Sequence, residues 1–505
     1  MLLGFSGHLA QLSHSAPPLN SRFSVQGRHA SICFPVQRQQ LEFCYVFGGS
    51  GAPNYSSDSV FLCGYVNNYS QILSMLRERG MSVPFNPSVG DCIRLIYEAY
   101  GVHGFNFLEG LFVAAFVSNN HLILCASKTP GPSLYYQDVA SQSQGFFFGT
   151  ELKAFPREMR RLRPFEDIQA DDGPQRMENT CLVDVRRIPA GHVLEIEMSS
   201  AEVKFKKVAY YSVLRNFSLT NEKEAAQELA STLKKSINDL PGQTANCLIS
   251  GGLDSSIVAL LAKDRYRHLN LFSLGTTTRN EFDKAQLLAN YLRLPISLLV
   301  IEENDFLSAL SSVVALTEHC FSIFIEYLIP VNLAHKAIRE PADILLSGYG
   351  ADVLFGGFAR PNYSLCAVTE LVHTEYESTV WSNEASQTLG GASGFSVGYP
   401  FYDSRVVDLA FCIDPYLKHK NGVEKYILRR AFAGRLPDKT IQARKVGIHQ
   451  GTGCEEYFSA RVGERNNQKA VRCAKDLVCY KILRELLVND ADPVTIDAQH
   501  IFEGV

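Results

Sequence analysis

The stretch Ala245-Asn246-Cys247-Leu248-Ile249-Ser250-Gly251-Gly252-Leu253-Asp254-Ser255-Ser256 decides how the C-terminal half folds. Ala245 to Ile249 predicts a short buried strand, and Ser255 to Ala262 predicts a helix. The small-residue turn between them lets the backbone come close to an anion. The turn and the helix N-terminus together offer several N–H donors to it. Ser250, Ser255 and Ser256 add hydroxyl donors. Asp254 is a poor neighbour for phosphate unless a cation lies between, so the pattern implies Mg²⁺. No lysine follows the glycines, which excludes a Walker loop. An ordinary turn with capping serines explains the small residues but leaves Asp254 to chance.

Working outward, Asn221 to Ile237 reads as an amphipathic helix, Leu271 to Leu274 as a strand, Glu281 to Leu292 as a helix and Ser297 to Val300 as a third strand. Strands alternating with helices imply parallel βαβ units and a doubly wound α/β sheet, with ligands at the carboxyl ends of the strands. A second buried strand runs into a glycine-bounded turn at Ile344-Leu345-Leu346-Ser347-Gly348-Tyr349-Gly350-Ala351-Asp352. Asp352 is placed there as a second carboxylate for Mg²⁺. A tight turn needing positive φ at Gly348 and Gly350 explains the glycines alone. Beyond Pro400 the chain reads as mostly helical, with a polar tail after Asn489.

The first 210 residues have another texture. Short apolar runs at residues 41–47, 111–117, 121–126, 145–148 and 192–196 are separated by Gly, Pro, Asn and Ser, as in packed β-sheets. Helical periodicity appears at residues 70–79 and 91–100. We expect an N-terminal α+β sandwich over residues 1–212 and a second domain over 213–505, since 505 residues exceed one ordinary core.

The apolar fraction of 46% and the charged fraction of 20% are those of a globular protein. A net charge of -4 gives no reason to expect nucleic acid as a partner. Thirteen scattered cysteines without a Cys-x-x-Cys pair fit reduced, mostly buried thiols. No run reaches the roughly 18 apolar residues of a membrane span, and residues 1–5 lack the features of a signal peptide. The expectation is a cytoplasmic protein with no membrane partner. Self-association into a homo-oligomer is left open.

The string Ser-Gly-Gly-Leu-Asp-Ser-Ser resembles the pyrophosphate loop of the N-type ATP pyrophosphatases, which leave AMP on their substrate. Asparagine, GMP, NAD and argininosuccinate synthetases share it. The second loop narrows the choice. Asparagine synthetases carry a glutamate where Tyr349 stands, whereas β-lactam and carbapenam synthetases carry Gly-Tyr-Gly-Ala/Ser-Asp. Gly275 to Phe282, Ile325 to Pro330, Asn383 to Ser386 and Lys445 to Gly451 are similar to that family in order and approximate spacing. Over residues 1–210 the resemblance is carried by Gly149 to Ala154 and Ile188 to His192, and is to an Ntn-type glutaminase domain. Such a domain needs a cysteine after the initiator Met. Position 2 is Leu2, so this half is expected to be catalytically inactive, and the amine nucleophile must come from the substrate.

The resemblance implies ATP and Mg²⁺ as cofactors and a small-molecule β-amino acid as substrate. Its carboxylate is adenylated and its own amine then closes a β-lactam ring. Tyr349 and Glu384 are implied as the base dyad, and Lys445 as the cation at the oxyanion and the departing AMP. Asp254 and Asp352 are the implied metal ligands. Ser250, Gly251, Gly252, Asp254, Ser255 and Ser256 hold phosphates, and Leu248, Ser273 and Gly348 hold adenine and ribose. Tyr327, Gly350 and Glu375 are the candidates for substrate contact. Each has a plain alternative: Tyr327 as a core tyrosine, Tyr349 as a packed turn residue, Glu384 as a solvated cap and Lys445 as a surface lysine.

Overall fold

Along Thr244–Leu248 successive side chains point to opposite faces of a sheet, Ala245 and Cys247 into one core and Leu248 against another, with all three central residues buried. A computed structural model describes residues 2–11, 28–36, 39–47, 60–138, 146–170, 178–198, 204–382, 387–463 and 467–503. Within it the C-terminal half is built on five parallel strands in the spatial order Ile296–Val300, His268–Gly275, Thr244–Leu248, Ile344–Leu346, Val397–Gly398. The chain starts in the middle, steps to one edge, returns and steps to the other. The direction of stepping reverses between Thr244–Leu248 and Ile344–Leu346, and such a reversal leaves a crevice at the carboxyl ends of the two strands.

One face of this sheet buries Ala245, Cys247, Leu271, Ile344 and Leu346 against helices Glu222–Asn238, Leu253–Arg265 and Phe282–Leu292. The other face buries Phe272 and Leu345 against Ile338 and Phe395. The strands and helices expected from residue 221 to 300 are therefore present, each within a few residues of the expected ends.

The N-terminal half is a two-sheet sandwich. Six antiparallel strands lie in the order Arg28–Val36, Gln39–Phe47, Leu2–Gln11, Phe146–Gly149, Tyr135–Gln137, Val185–Arg187. Five more follow the order Lys204–Ala209, His192–Glu197, His121–Ala126, Gly110–Ser118, Phe61–Val66. Val113, Leu122 and Leu124 meet Phe146 and Phe148 between the sheets. Their neighbours Phe112, Phe116 and Ile123 turn outward and pack under helices Tyr69–Glu78 and Val89–Tyr100. Tyr135 and Phe147, on the far side of the six-stranded sheet, join a core with Phe306, Ile329 and Ile482 of the C-terminal half.

The polar tail expected after Asn489 is a correction. Helix Ala498–Glu503 buries Ala498 and Phe502, and Phe502 stacks on Phe458 with ring centroids 5.9 Å apart. A single aromatic in a polar run gives no periodic signal, yet it is enough to dock a short helix. The expected residues 400 onward are mostly helical, interrupted by a small antiparallel pair, His419–Lys420 with Val423–Glu424. No single helix among the described residues is long and apolar enough to cross a membrane. The thiols of Cys92, Cys125, Cys247 and Cys454 are free and buried.

Candidate active site

The two glycine loops meet at the reversal point of the parallel sheet. Gly251 has φ +74°, and a Cβ there would lie 2.4 Å from the Lys284 carbonyl carbon, so both conformation and space demand glycine. Gly348 is needed for space alone: its Cβ would fall 2.7 Å from the Ser255 nitrogen. Of the two glycines that a plain tight turn would put at positive φ, only Gly350 has it, at +101°. This close approach sets Tyr349 and Asp352 beside Asp254.

The first loop is cross-tied by its own hydroxyls. The Ser250 N–H donates to Ser255 Oγ at 3.2 Å, and the Gly252 N–H donates to Ser250 Oγ at 3.3 Å. The Ser256 hydroxyl donates to the Gly252 carbonyl at 2.6 Å and is buried. Ser256 therefore steadies the helix start, while Ser250 and Ser255 line the cleft.

That cleft has a cavity volume of about 240 Å³. Leu248, Ser250, Gly252, Asp254, Ser255, Ser273, Gly348, Tyr327, Tyr349, Asp352 and Lys445 all line it. Gly251, Gly350 and Glu375 do not line it. Glu375, on helix Leu365–Ser382, is half-buried; burial raises its carboxyl, and the nearby charge of Asp352 raises it further. Glu384 and its neighbours Asn383 to Ser386 lie outside the described residues.

Tyr349 sits in an aromatic cluster. Its ring is 5.5 Å from that of Tyr402, 6.0 Å from Tyr399 and 6.2 Å from Tyr327, nearly parallel to the last. Its hydroxyl is buried and meets no hydrogen-bond partner among the described residues. A buried hydroxyl left so is costly unless a ligand answers it.

Two lysines face the two aspartates. Lys425 Nζ lies 2.5 Å from Asp254 Oδ2 and 2.6 Å from Asp352 Oδ1, and Lys445 pairs with the other oxygen of Asp352. Burial would raise both carboxyls. At Asp352 the ammonium groups of Lys425 and Lys445 outweigh it and hold the acid down to about 2. Asp254, which touches Lys425 alone and feels the charge of Asp352, stays raised by its burial. Two carboxylates persist together here because cations are interleaved with them.

Lys425 is a residue of the cleft that sequence reasoning missed. It is almost fully buried and adopts φ +53°, at the start of helix Tyr426–Ala431. Nothing local in Glu424-Lys425-Tyr426 distinguishes it among 48 lysines and arginines. Arg429 was missed as well. It donates to the Ala443 carbonyl at 3.1 Å and to that of Ile441, and pairs with Glu424 at 2.5 Å. It thereby pins the irregular segment that carries Lys445 over the cleft.

The donors suit a nucleotide-borne Mg²⁺. Asp254 Oδ1 is buried without a hydrogen-bond partner among the described residues, and Asp254 and Asp352 both contact the one ammonium of Lys425. Mg²⁺ takes one or two carboxylates and completes its shell with phosphate oxygens and water. No cluster of three or more metal-binding side chains occurs among the described residues.

Comparisons with known proteins agree with this construction. Carboxyethyl-arginine beta-lactam-synthase of Streptomyces clavuligerus is 27% identical over 496 residues, covering 96% of this chain and 93% of that protein. Asparagine synthetase [glutamine-hydrolyzing] 1 of Bacillus subtilis is 22% identical over 515 residues, covering 81% and 79%. The solved structure of NMN synthetase from Francisella tularensis covers 55% of this chain and 97% of its own, at 13% identity and a TM-score of 0.25, too slight a likeness to argue from. Residues 228–389 and 383–500 match the asparagine synthase family. The two-loop crevice and these matched segments, which span more than half of the sequence, place this chain in the asparagine synthase family of ATP-dependent ligases.

Proposed function

We propose that this chain is a β-lactam synthetase, acting on a small β-amino acid in antibiotic or toxin biosynthesis. The observation that carries the reading is Tyr349, whose buried hydroxyl is open to a partner beside the two metal-binding carboxylates. The likeness to the Streptomyces clavuligerus enzyme over nearly the whole chain supports it.

In this reading the phosphates of ATP lie on Ser250, Gly251, Gly252 and Ser255, with adenine and ribose against Leu248, Ser273 and Gly348. Mg²⁺ held by Asp254 and Asp352 would neutralise charge on the phosphates. The substrate carboxylate oxygen attacks the α-phosphorus, the α–β phosphoanhydride bond breaks, and pyrophosphate leaves. The substrate amine then attacks the acyl carbon, and the bond to AMP breaks. Tyr349 takes the amine proton and passes it to Glu384. Lys445 steadies the oxyanion. Tyr327, stacked near Tyr349, orients the substrate, and Gly350 and Glu375 support that wall. The N-terminal sandwich, whose strand Leu2–Gln11 contains no cysteine, supplies no ammonia in this scheme.

The test is incubation with ATP, MgCl₂ and a panel of β-amino acids including carboxyethylarginine and carboxymethylproline. We expect one of them to lose water with equal release of AMP and pyrophosphate, read by mass spectrometry. Asparagine appearing from aspartate and ammonium instead would sink the proposal.

Arg429→Ala is expected to lower turnover by about 100-fold, because a displacement of about 1 Å in a catalytic group costs that much. ATP affinity should hold, since the guanidinium reaches Lys445's segment and not the phosphate loop. Titration of ATP alongside pyrophosphate release checks both; wild-type turnover would remove Arg429 from the scheme.

A further inference from the structure

Helices Glu303–Thr317 and Ser322–Ala337 meet at a sharp corner of 109°. The second of them forms one wall of the cleft through Tyr327, Leu328, Val331 and His335. The corner lies off the cleft lining, yet it is tied from several directions, and several of the ties come from the N-terminal half.

Glu318 ends the first helix at φ +54° and is buried. Its carboxylate accepts from the Leu152 N–H at 2.7 Å, the Lys153 N–H at 2.9 Å and Lys153 Nζ at 3.1 Å. Lys153 Nζ also donates to the Ala315 carbonyl at 2.7 Å, capping the last turn of that helix, and pairs with Glu151 at 2.7 Å. On the other side of the corner, the Ser322 N–H donates to Asp476 Oδ1 at 2.6 Å. Asp476 Oδ2 accepts from Gln169 of the N-terminal half at 3.0 Å. Lys475, one residue earlier, pairs with buried Glu326.

These ties carry weight because of Pro330, which lies inside the second helix. Proline removes the N–H that would bond the Glu326 carbonyl, so residues 322–329 are joined less firmly to the rest of their own helix. Their position is set from outside. From there the path to the site is short: Phe324 contacts Tyr327 at 6.2 Å, and Tyr327 stacks on Tyr349 at 6.2 Å.

We infer that the N-terminal half, through Glu151, Lys153 and Gln169, clamps the corner at residues 318–322 and so positions Tyr327 against Tyr349. Lys153 and Glu318 are positioning residues for the cleft. This gives residues Gly149 to Ala154 a role that does not depend on glutamine chemistry. The inference needs only the cleft and not the identity of the ring that is closed.

Hydrogen exchange on the full chain tests it without any carboxylate substrate. Lys153→Met and Glu318→Gln should each speed exchange at residues 319–328 by about tenfold or more, leaving the strands Thr244–Leu248 and His268–Gly275 as protected as before. Titration with ATP and MgCl₂ should give an affinity within about twofold of wild type, since the phosphate loop is not tied to the corner. With the carboxylate that the assay above identifies, KM should rise by about tenfold, and Lys153→Arg should restore it in part. Unchanged exchange at 319–328 would overturn the clamp. So would uniform acceleration throughout the chain, which would make these residues merely structural. Because exchange is read on the chain alone, failure of the clamp and failure of the β-lactam reading give different results.

Discussion

Asp352→Asn is expected to reduce pyrophosphate release by about 10³-fold, the upper range for losing one preorganised electrostatic group at a developing charge. The physical case rests on the pairings of this side chain. Its two oxygens meet Lys425 and Lys445 separately, and those cations hold it ionised despite its burial. An amide has the same shape but no charge. It would leave two ammonium groups facing each other's field and remove one of two hard donors for Mg²⁺. Thermal unfolding should show a loss as well, because removing one partner of a buried pair costs about 3–5 kcal/mol. The kinetic loss is read by pyrophosphate release at saturating ATP and MgCl₂. Release within tenfold of wild type would mean that Asp352 is a structural anchor for the lysines and not a ligand in the reaction. Asp254→Asn should behave alike, since Lys425 spans both acids.

Tyr349→Phe separates the two half-reactions. The hydroxyl is the only atom removed, and it makes no hydrogen bond to any described residue, so the fold should not feel the change. The ring remains within 5.5–6.2 Å of Tyr402, Tyr399 and Tyr327 and keeps the wall of the cleft intact. Adenylation, measured as ATP–pyrophosphate exchange in the presence of substrate, should persist at near wild-type rate. Ring closure should fall by about 10²–10⁴-fold, the usual contribution of general base catalysis. The intermediate would then drain slowly to AMP and unchanged β-amino acid by hydrolysis. Product formation at the wild-type rate would sink the assignment of Tyr349 as base, while equal loss of exchange and product would make it a residue of the first half-reaction.

Much of this was legible before any coordinates. The doubly wound order follows from strands and helices alternating after residue 221, because each βα unit writes its period locally. Asp254, Asp352, Tyr349 and the serines were readable because each sits in a strand–glycine–helix turn whose residue types are constrained by backbone geometry. The N-terminal sandwich was partly legible, through strands such as His121–Ala126, but not its sheet order. Helix Ala498–Glu503 was read as tail, since its docking depends on one aromatic partner, Phe458.

What the sequence by itself determined is the identity of the loops: which segments form the two glycine turns, which carboxylates they carry, and that a tyrosine stands in the second. Those choices are local, written in a few consecutive residues. Only the tertiary structure decided which cations answer the carboxylates. Lys425 and Lys445 lie 171 and 93 residues from the acids they are bonded to, and Arg429 acts through a carbonyl 14 residues away. The same holds for the corner at Glu318, fastened by Lys153 at a separation of 165 residues. A lone charged side chain has no period and no motif; its partner is set by where the sheet order brings distant segments together, and that is a property of the whole fold.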